Sequence, residues 1–309
     1  MRKTLKYHLH DVTDYISWSY FFYAWGIPSK FATLTELDGC PTCRQGWVAS
    51  FPEADREQAR TAIQLYDEAL ALIRELDGKY FTYAHFAILP VEAEDDNLYV
   101  EGGCIPLLRQ QVKKDDSLPH LCLADFVRPR GSAYPTLTQE GKPTVGGNVG
   151  LFCTSIDGEM EHLYDDDPYK RMLVQTVCDR LSEATAERMH EDVRRIYWGY
   201  APNEQLELKD IILENYQGIR PAVGYPSLPD QSIIFVLDSL LDLSQIGIQI
   251  TESGAMMPHA SVCGLMFAHP ESRYFVIGAI DEGQLADYAQ RRGTTPDALR
   301  KFLSANLKG

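Results

Sequence analysis

The 309-residue chain is 45% apolar and 24% charged, the composition of a globular protein long enough to bury a substantial core. Its formal charge of −15 disfavours nucleic acid and anionic membrane surfaces as partners, because both need Lys and Arg to neutralise phosphate. The seven cysteines are an odd, scattered set rather than a disulfide framework, no run approaches the roughly 20 apolar residues of a membrane span, and Met1 to Asp11 has no apolar leader, so the expected location is the cytoplasm.

In chain order, the region near 38–47 reads as a loop insertion, with Asp38 to Arg44 rich in turn-formers. Within it Cys40-Pro41-Thr42-Cys43 has the spacing of half a zinc site or a redox dithiol, but no second pair completes four ligands, and inert loop thiols are the expectation. From Glu53 to Leu76 apolar residues recur at helical spacing, with Ser50 and Glu53 as a capping box. Tyr80 to Leu89 and Leu98 to Val100 read as strands around an acidic turn at Glu92 to Asp96, and the region 128–147 as a second loop insertion or flap.

A long helix is predicted after Asp167, with Pro168 in its first position and Met172, Leu173, Val177, Leu181 and Ala184 on its buried face; the aspartates at 165–167 suit its positive N-terminal end better than a cation site. On that helix Thr176, Arg180, Glu183, Glu187 and His190 form a polar stripe of the kind that usually faces solvent. Ile246 to Ile250, Ser261 to Phe267 and Tyr274 to Ile280 suggest strands, and Gln284 to Arg292 and Pro296 to Leu303 closing helices, the last capped by Thr295. Helices and strands mix without βαβ alternation, which favours an α+β fold in one continuous domain, 1–309.

The segment Gly218-Ile219-Arg220-Pro221-Ala222-Val223-Gly224-Tyr225-Pro226 sets an arginine fork beside a turn stiffened by two prolines and opened by Gly224. By itself it is compatible with a structural turn or with a carboxylate site. Together with Ile196-Tyr197-Trp198-Gly199-Tyr200-Ala201-Pro202-Asn203-Glu204, Glu214-Asn215-Tyr216-Gln217, Thr251-Glu252-Ser253 with Ala255-Met256 and Pro258, Ala260-Ser261-Val262, His269-Pro270-Glu271-Ser272-Arg273-Tyr274 and, upstream, Leu121-Cys122-Leu123-Ala124-Asp125-Phe126-Val127 and Trp18-Ser19-Tyr20-Phe21-Phe22, it resembles the AdoMet-binding activation domain of cobalamin-dependent methionine synthase across essentially the whole chain.

The resemblance implies a mainly antiparallel twisted sheet with flanking helices, and a site in which Arg220 holds the carboxylate of S-adenosyl-L-methionine. It further implies backbone contacts at Ala222 and Gly224, a ligand contact at Glu183, aromatic contacts at Tyr274 and Phe275, and Tyr225 turned toward cobalt as the catalytic candidate. Ser17 stands where the family carries an aspartate, Gln231 where a histidine is usual, and Met256 to His259 departs from the usual pattern. No metal ligand set is expected in the chain.

The implied function is reactivation: AdoMet methylates cob(I)alamin after reduction of cob(II)alamin by a flavodoxin-type donor. No cobalamin-binding Asp-x-His-x-x-Gly motif occurs, so cobalamin is expected on a partner, a methionine synthase lacking its own activation domain. The alternative from another class is a binding module for a cobamide or partner protein that kept the fold and lost methyl transfer.

Overall fold

The computed structural model describes residues 1–37, 39–112 and 119–307. Six strands form one antiparallel sheet: β1 (Arg2–His8), β2 (Phe81–Glu94), β3 (Asn97–Val100), β4 (Gly103–Pro106), β5 (Asn148–Ile156) and β8 (Val262–Met266). A separate pair, β6 (Gln249–Ile250) and β7 (Met256–Met257), lies off this sheet. The helices in chain order are α1 (Leu9–Thr13), α2 (Trp18–Ala24), α3 (Pro41–Ser50), α4 (Arg56–Leu76), α5 (Pro168–Asp192), α6 (Leu208–Ile212), α7 (Ile233–Leu241), α8 (Glu282–Arg291) and α9 (Pro296–Arg300). This is the expected mixture of helices with a mainly antiparallel sheet. Among the described residues no helix is long and apolar enough to cross a membrane.

The 14-residue β2 organises the sheet. One edge pairs along its length with β5, and the other is shared by β1 and β3. Side chains alternate across a strand, so its two faces feed two cores. Ala84, Phe86 and Ile88 point with Phe152 toward α1, α2, α4 and α5, while Ala87, Leu89 and Val91 point with Leu151 and Cys153 toward α7. Both faces are therefore covered, which explains why all nine residues of β5 are buried.

Helix α5 begins as its sequence dictates: Asp167 accepts from the Tyr169 and Lys170 amides at 3.1 Å each, and Pro168 occupies the first turn, where its missing N–H costs nothing. Its Leu173, Val177, Leu181 and Ala184 are buried as expected, but Met172 is exposed, one step outside the apolar face. Thr295 likewise caps α9.

Several local expectations need correction. Pro41–Ser50 is helical, not loop, with Pro41 at the first helical position and Cys40 at the N-cap; Asp38 lies outside the described residues. Ser50 ends that helix, its hydroxyl donating to the Trp47 carbonyl at 2.6 Å, so the capping box with Glu53 does not form. Ile246 to Ile250 is a strand only at its last two residues, because Gly247 has φ +77° and the preceding residues form a 3₁₀ turn. Tyr274 to Ile280 has no strand ladder; two of its amides are taken by the end of the arginine turn, Ile277 by the Pro226 carbonyl at 2.9 Å and Phe275 by the Ser227 hydroxyl at 3.0 Å.

Candidate functional site

The arginine turn is built on the outer edge of β8. Ile219 and Phe267 exchange backbone hydrogen bonds of 2.9 Å, Leu265 donates to the Pro221 carbonyl at 3.0 Å, and Val223 donates to Cys263 at 2.8 Å. Pro221 lacks an N–H, so it fits this edge only by offering its carbonyl inward. The approach is so close that a Cβ on Gly264 would sit 2.3 Å from the Pro221 oxygen and 2.8 Å from the Ala222 Cα. Past Val223 the chain reverses at Gly224, φ +86°, a conformation costly for any residue with a Cβ. This sends Tyr225 outward, where it is 52% exposed.

In front of the turn lies a cavity of about 810 Å³. Its walls come from Ser17, Tyr20 and Tyr23 around α2, from Arg180, Glu183 and Glu187 of α5, from the turn itself, and from Glu214, Tyr274 and Phe275. Seven of the eight residues singled out from the sequence, namely Ser17, Glu183, Arg220, Ala222, Tyr225, Tyr274 and Phe275, line this one cavity. Gly224 does not line it; it shapes the turn from behind, packed against Gln231.

Arg220 is only 6% exposed, and its guanidinium is ion-paired with Glu187. Burial opposes its charge, but the carboxylate of Glu187, with Tyr216, Tyr274 and Glu183 behind it, raises its pKa further above the arginine value, so the fork stays charged. The pair is not saturated. Arg220 Nε and Glu187 Oε2 are both buried without a hydrogen-bond partner. The Arg220 amide donates to the Tyr274 hydroxyl at 2.9 Å, which ties that ring to the turn.

At the open end, the Tyr225 hydroxyl donates to Glu183 Oε1 at 2.9 Å. Burial and the neighbouring Glu183 charge push the Tyr225 phenol up to about 12, and burial does the same for Tyr274. Enclosure in the cleft, and the Glu187 charge, raise the Glu214 carboxyl.

The polar stripe of α5 is therefore not a solvated face. Thr176 and His190 are buried, and Arg180, Glu183 and Glu187 turn into the cleft. Sequence reasoning missed Glu187 as the partner of Arg220 and missed Glu214 and the tyrosines at 20 and 23. The spacing of Glu183 and Glu187, one helical turn apart, was the available signal.

A second cavity, of about 580 Å³, is lined by Asp157, Glu159, Glu161, Met257 and Pro258 among others, with no Lys or Arg to meet a carboxylate. Of the altered Met256 to His259 segment, Met257 and Pro258 line this cavity and not the arginine cleft. His8, His10 and Asp77 gather near α1, but Asp77 is already engaged by the Leu9 amide at 2.9 Å and His10 Nδ1 at 2.7 Å, and none lines the cleft.

The family model described as "Vitamin B12 dependent methionine synthase, activation domain" matches residues 8–293. The chain belongs to this family. Among solved structures it is similar to the MetH reactivation domain bound to AdoHcy, at 30% identity and a TM-score of 0.81 over 100% of this chain and 91% of that one. The fold expected of an activation domain is therefore the fold observed. That protein was solved with AdoHcy, the demethylated product of AdoMet.

Proposed function

We propose that this activation domain holds AdoMet in the Arg220 cleft and supports reductive methylation of cob(II)alamin carried by a cobalamin-binding methionine synthase. The observation that supports this most is the unsaturated, buried Arg220–Glu187 pair inside a cleft whose other walls carry Glu183, Glu214, Arg180 and several aromatic rings. AdoMet carries one carboxylate against two positive groups, the ammonium and the sulfonium. A cleft with one deep, fixed cation and carboxylates at Glu183, Glu187 and Glu214 matches that charge distribution.

In this reading Arg220 takes the ligand carboxylate, its free Nε supplying a donor beyond the Glu187 contact. Ala222 lets the backbone come close while Gly224 shapes the turn from behind, Glu183 faces the ammonium, and Tyr274 and Phe275 provide the aromatic shelf. Ser17 offers a hydroxyl without a charge, so Glu183 carries more of the ammonium contact. When bound, AdoMet supplies an electrophilic methyl and the reduced corrinoid the nucleophile. The chain itself positions the donor and excludes water, and needs no general base.

Tyr225, exposed at the mouth, is the side chain available to a docked corrinoid, and its bond to Glu183 links the two halves of the site. The proposed partner is a methionine synthase lacking its own activation domain, with electrons from a flavodoxin-type protein.

The test is to mix the chain with cobalamin-loaded partner, reduced flavodoxin and AdoMet and follow methylcobalamin by its visible spectrum. Methylation that depends on this chain is the expected result. The uncharged Ser17 favours a second reading, a binding module without methyl transfer; AdoMet binding with no methylation by a verified partner supports that reading instead.

A further inference from the structure

Cys40 and Cys43 are set apart from the other five cysteines by position. Cys122, Cys153, Cys178 and Cys263 are buried, Cys104 is partly buried, and burial raises the pKa of all five, which makes them inert. Cys40 and Cys43 are both exposed. They do not sit in a loop: Cys40 is the N-cap of the ten-residue α3 and Cys43 its third helical residue, with Pro41 between them in the first turn.

That placement has a chemical consequence. An N-cap side chain and the one three residues on converge over the unpaired amides of the first turn, where the helix dipole favours negative charge. The Cys40 side chain makes no capping hydrogen bond within ordinary limits, yet the Cys43 amide and thiol, and then the Thr42 amide, are near enough to hold its pKa below the usual thiol range. Further along, the helix is anchored by the Arg44–Asp67 ion pair at 2.6 Å and by the Trp47 indole donating to the Thr33 hydroxyl at 3.0 Å. The two sulfurs thus stand on a fixed scaffold.

We propose that Cys40 and Cys43 form a thiol–disulfide exchange site, in which Cys40 attacks a small-molecule disulfide and Cys43 resolves the product. The Cys40 thiolate displaces one thiolate from the disulfide and forms a mixed disulfide with the remaining half. Cys43 then loses its proton to solvent and attacks Cys40 Sγ, closing an intramolecular disulfide and releasing the second small thiolate. Two protein thiols are oxidised by two electrons, and one small disulfide is reduced to two thiols. The step is independent of AdoMet binding.

The experiment uses the full reduced chain, oxidised glutathione as the probe, and peptide mapping under non-reducing conditions. The expected wild-type product is a Cys40–Cys43 disulfide with a mass loss of two hydrogens, reversed by dithiothreitol. Cys43→Ser should stop at a glutathione adduct on Cys40. Cys40→Ser should be modified several-fold more slowly at neutral pH, since Cys43 lacks the N-cap position. Circular dichroism verifies that each variant folds. Failure to form the internal disulfide, trapping at Cys43 rather than Cys40, or stoichiometric zinc held by the reduced pair each overturns the proposal.

Discussion

Arg220 is buried, charged and paired with Glu187, so its removal acts on two observables. Arg220→Ala should weaken AdoMet binding by about 1.5–3 kcal/mol, the scale of a charge-assisted hydrogen bond. It should also lower the melting temperature, because Glu187 is left without its partner. Glu187→Gln keeps a hydrogen-bonding oxygen but loses the charge that fixes the fork, and calorimetry should show a smaller loss of affinity than for Arg220→Ala. Unchanged affinity in Glu187→Gln would remove its positioning role. Tyr225→Phe breaks the bond to Glu183 yet leaves Arg220 and the turn backbone in place; AdoMet affinity should hold within a few-fold while the rate of methylcobalamin formation changes. The prolines and glycines around Arg220 announced a shaped turn, but only the family resemblance pointed to Arg220 as a site residue, since the turn by itself fits a structural role equally well. Glu187 was not legible, since its partner is 33 residues away and only the sheet edge brings them together.

At the scale of elements, the cleft depends on how closely the arginine turn lies on β8. Gly264→Ala would force a methyl into the Pro221 carbonyl, and because that neighbour is backbone the strand or the turn must move. A loss of about 1–3 kcal/mol in denaturant melts, together with weaker AdoMet binding, is expected. A variant of native stability and affinity would show that the turn is not held by this contact. The element best read from sequence was α5, with Asp167 and Pro168 at its start, whereas β2 runs five residues past the expected Leu89, its Glu92 to Glu94 pairing with β3 and leaving only Asp95 and Asp96 to turn. Helix α3 was mistaken for a loop because the turn-formers between Asp38 and Arg44 outweighed the proline's usual place in a first helical turn. Tyr274 to Ile280 has strand-like residues, but β propensity is realised only against a neighbouring strand, and the Ser227 and Pro226 contacts take its place.

Across the whole molecule, burial keeps two histidines neutral. His190 is depressed by burial, then by the Arg194 and Arg220 charges, and His85 is depressed chiefly by burial. In the unfolded chain both titrate at about 6.5. Below that pH the unfolded state binds protons that the native state refuses, so stability falls on acidification and is recovered as pH rises above about 6.5. Each group contributes at most about 1.4 kcal/mol per pH unit in that window. Melting curves from pH 8 to pH 5 should therefore slope downward below neutrality, less steeply in His190→Gln, provided that variant folds. A flat profile in the wild type would contradict the neutral buried state. The acidic whole, with a single buried cation in its cleft, also fits attraction of a net-positive ligand.

The most direct test of the central claim is calorimetric titration of AdoMet into the wild-type chain and into Arg220→Ala. Saturable one-to-one binding to the wild type and at least about tenfold weaker binding to the variant are expected. Equal affinity in the two proteins, or no binding to a folded wild type, would contradict that claim.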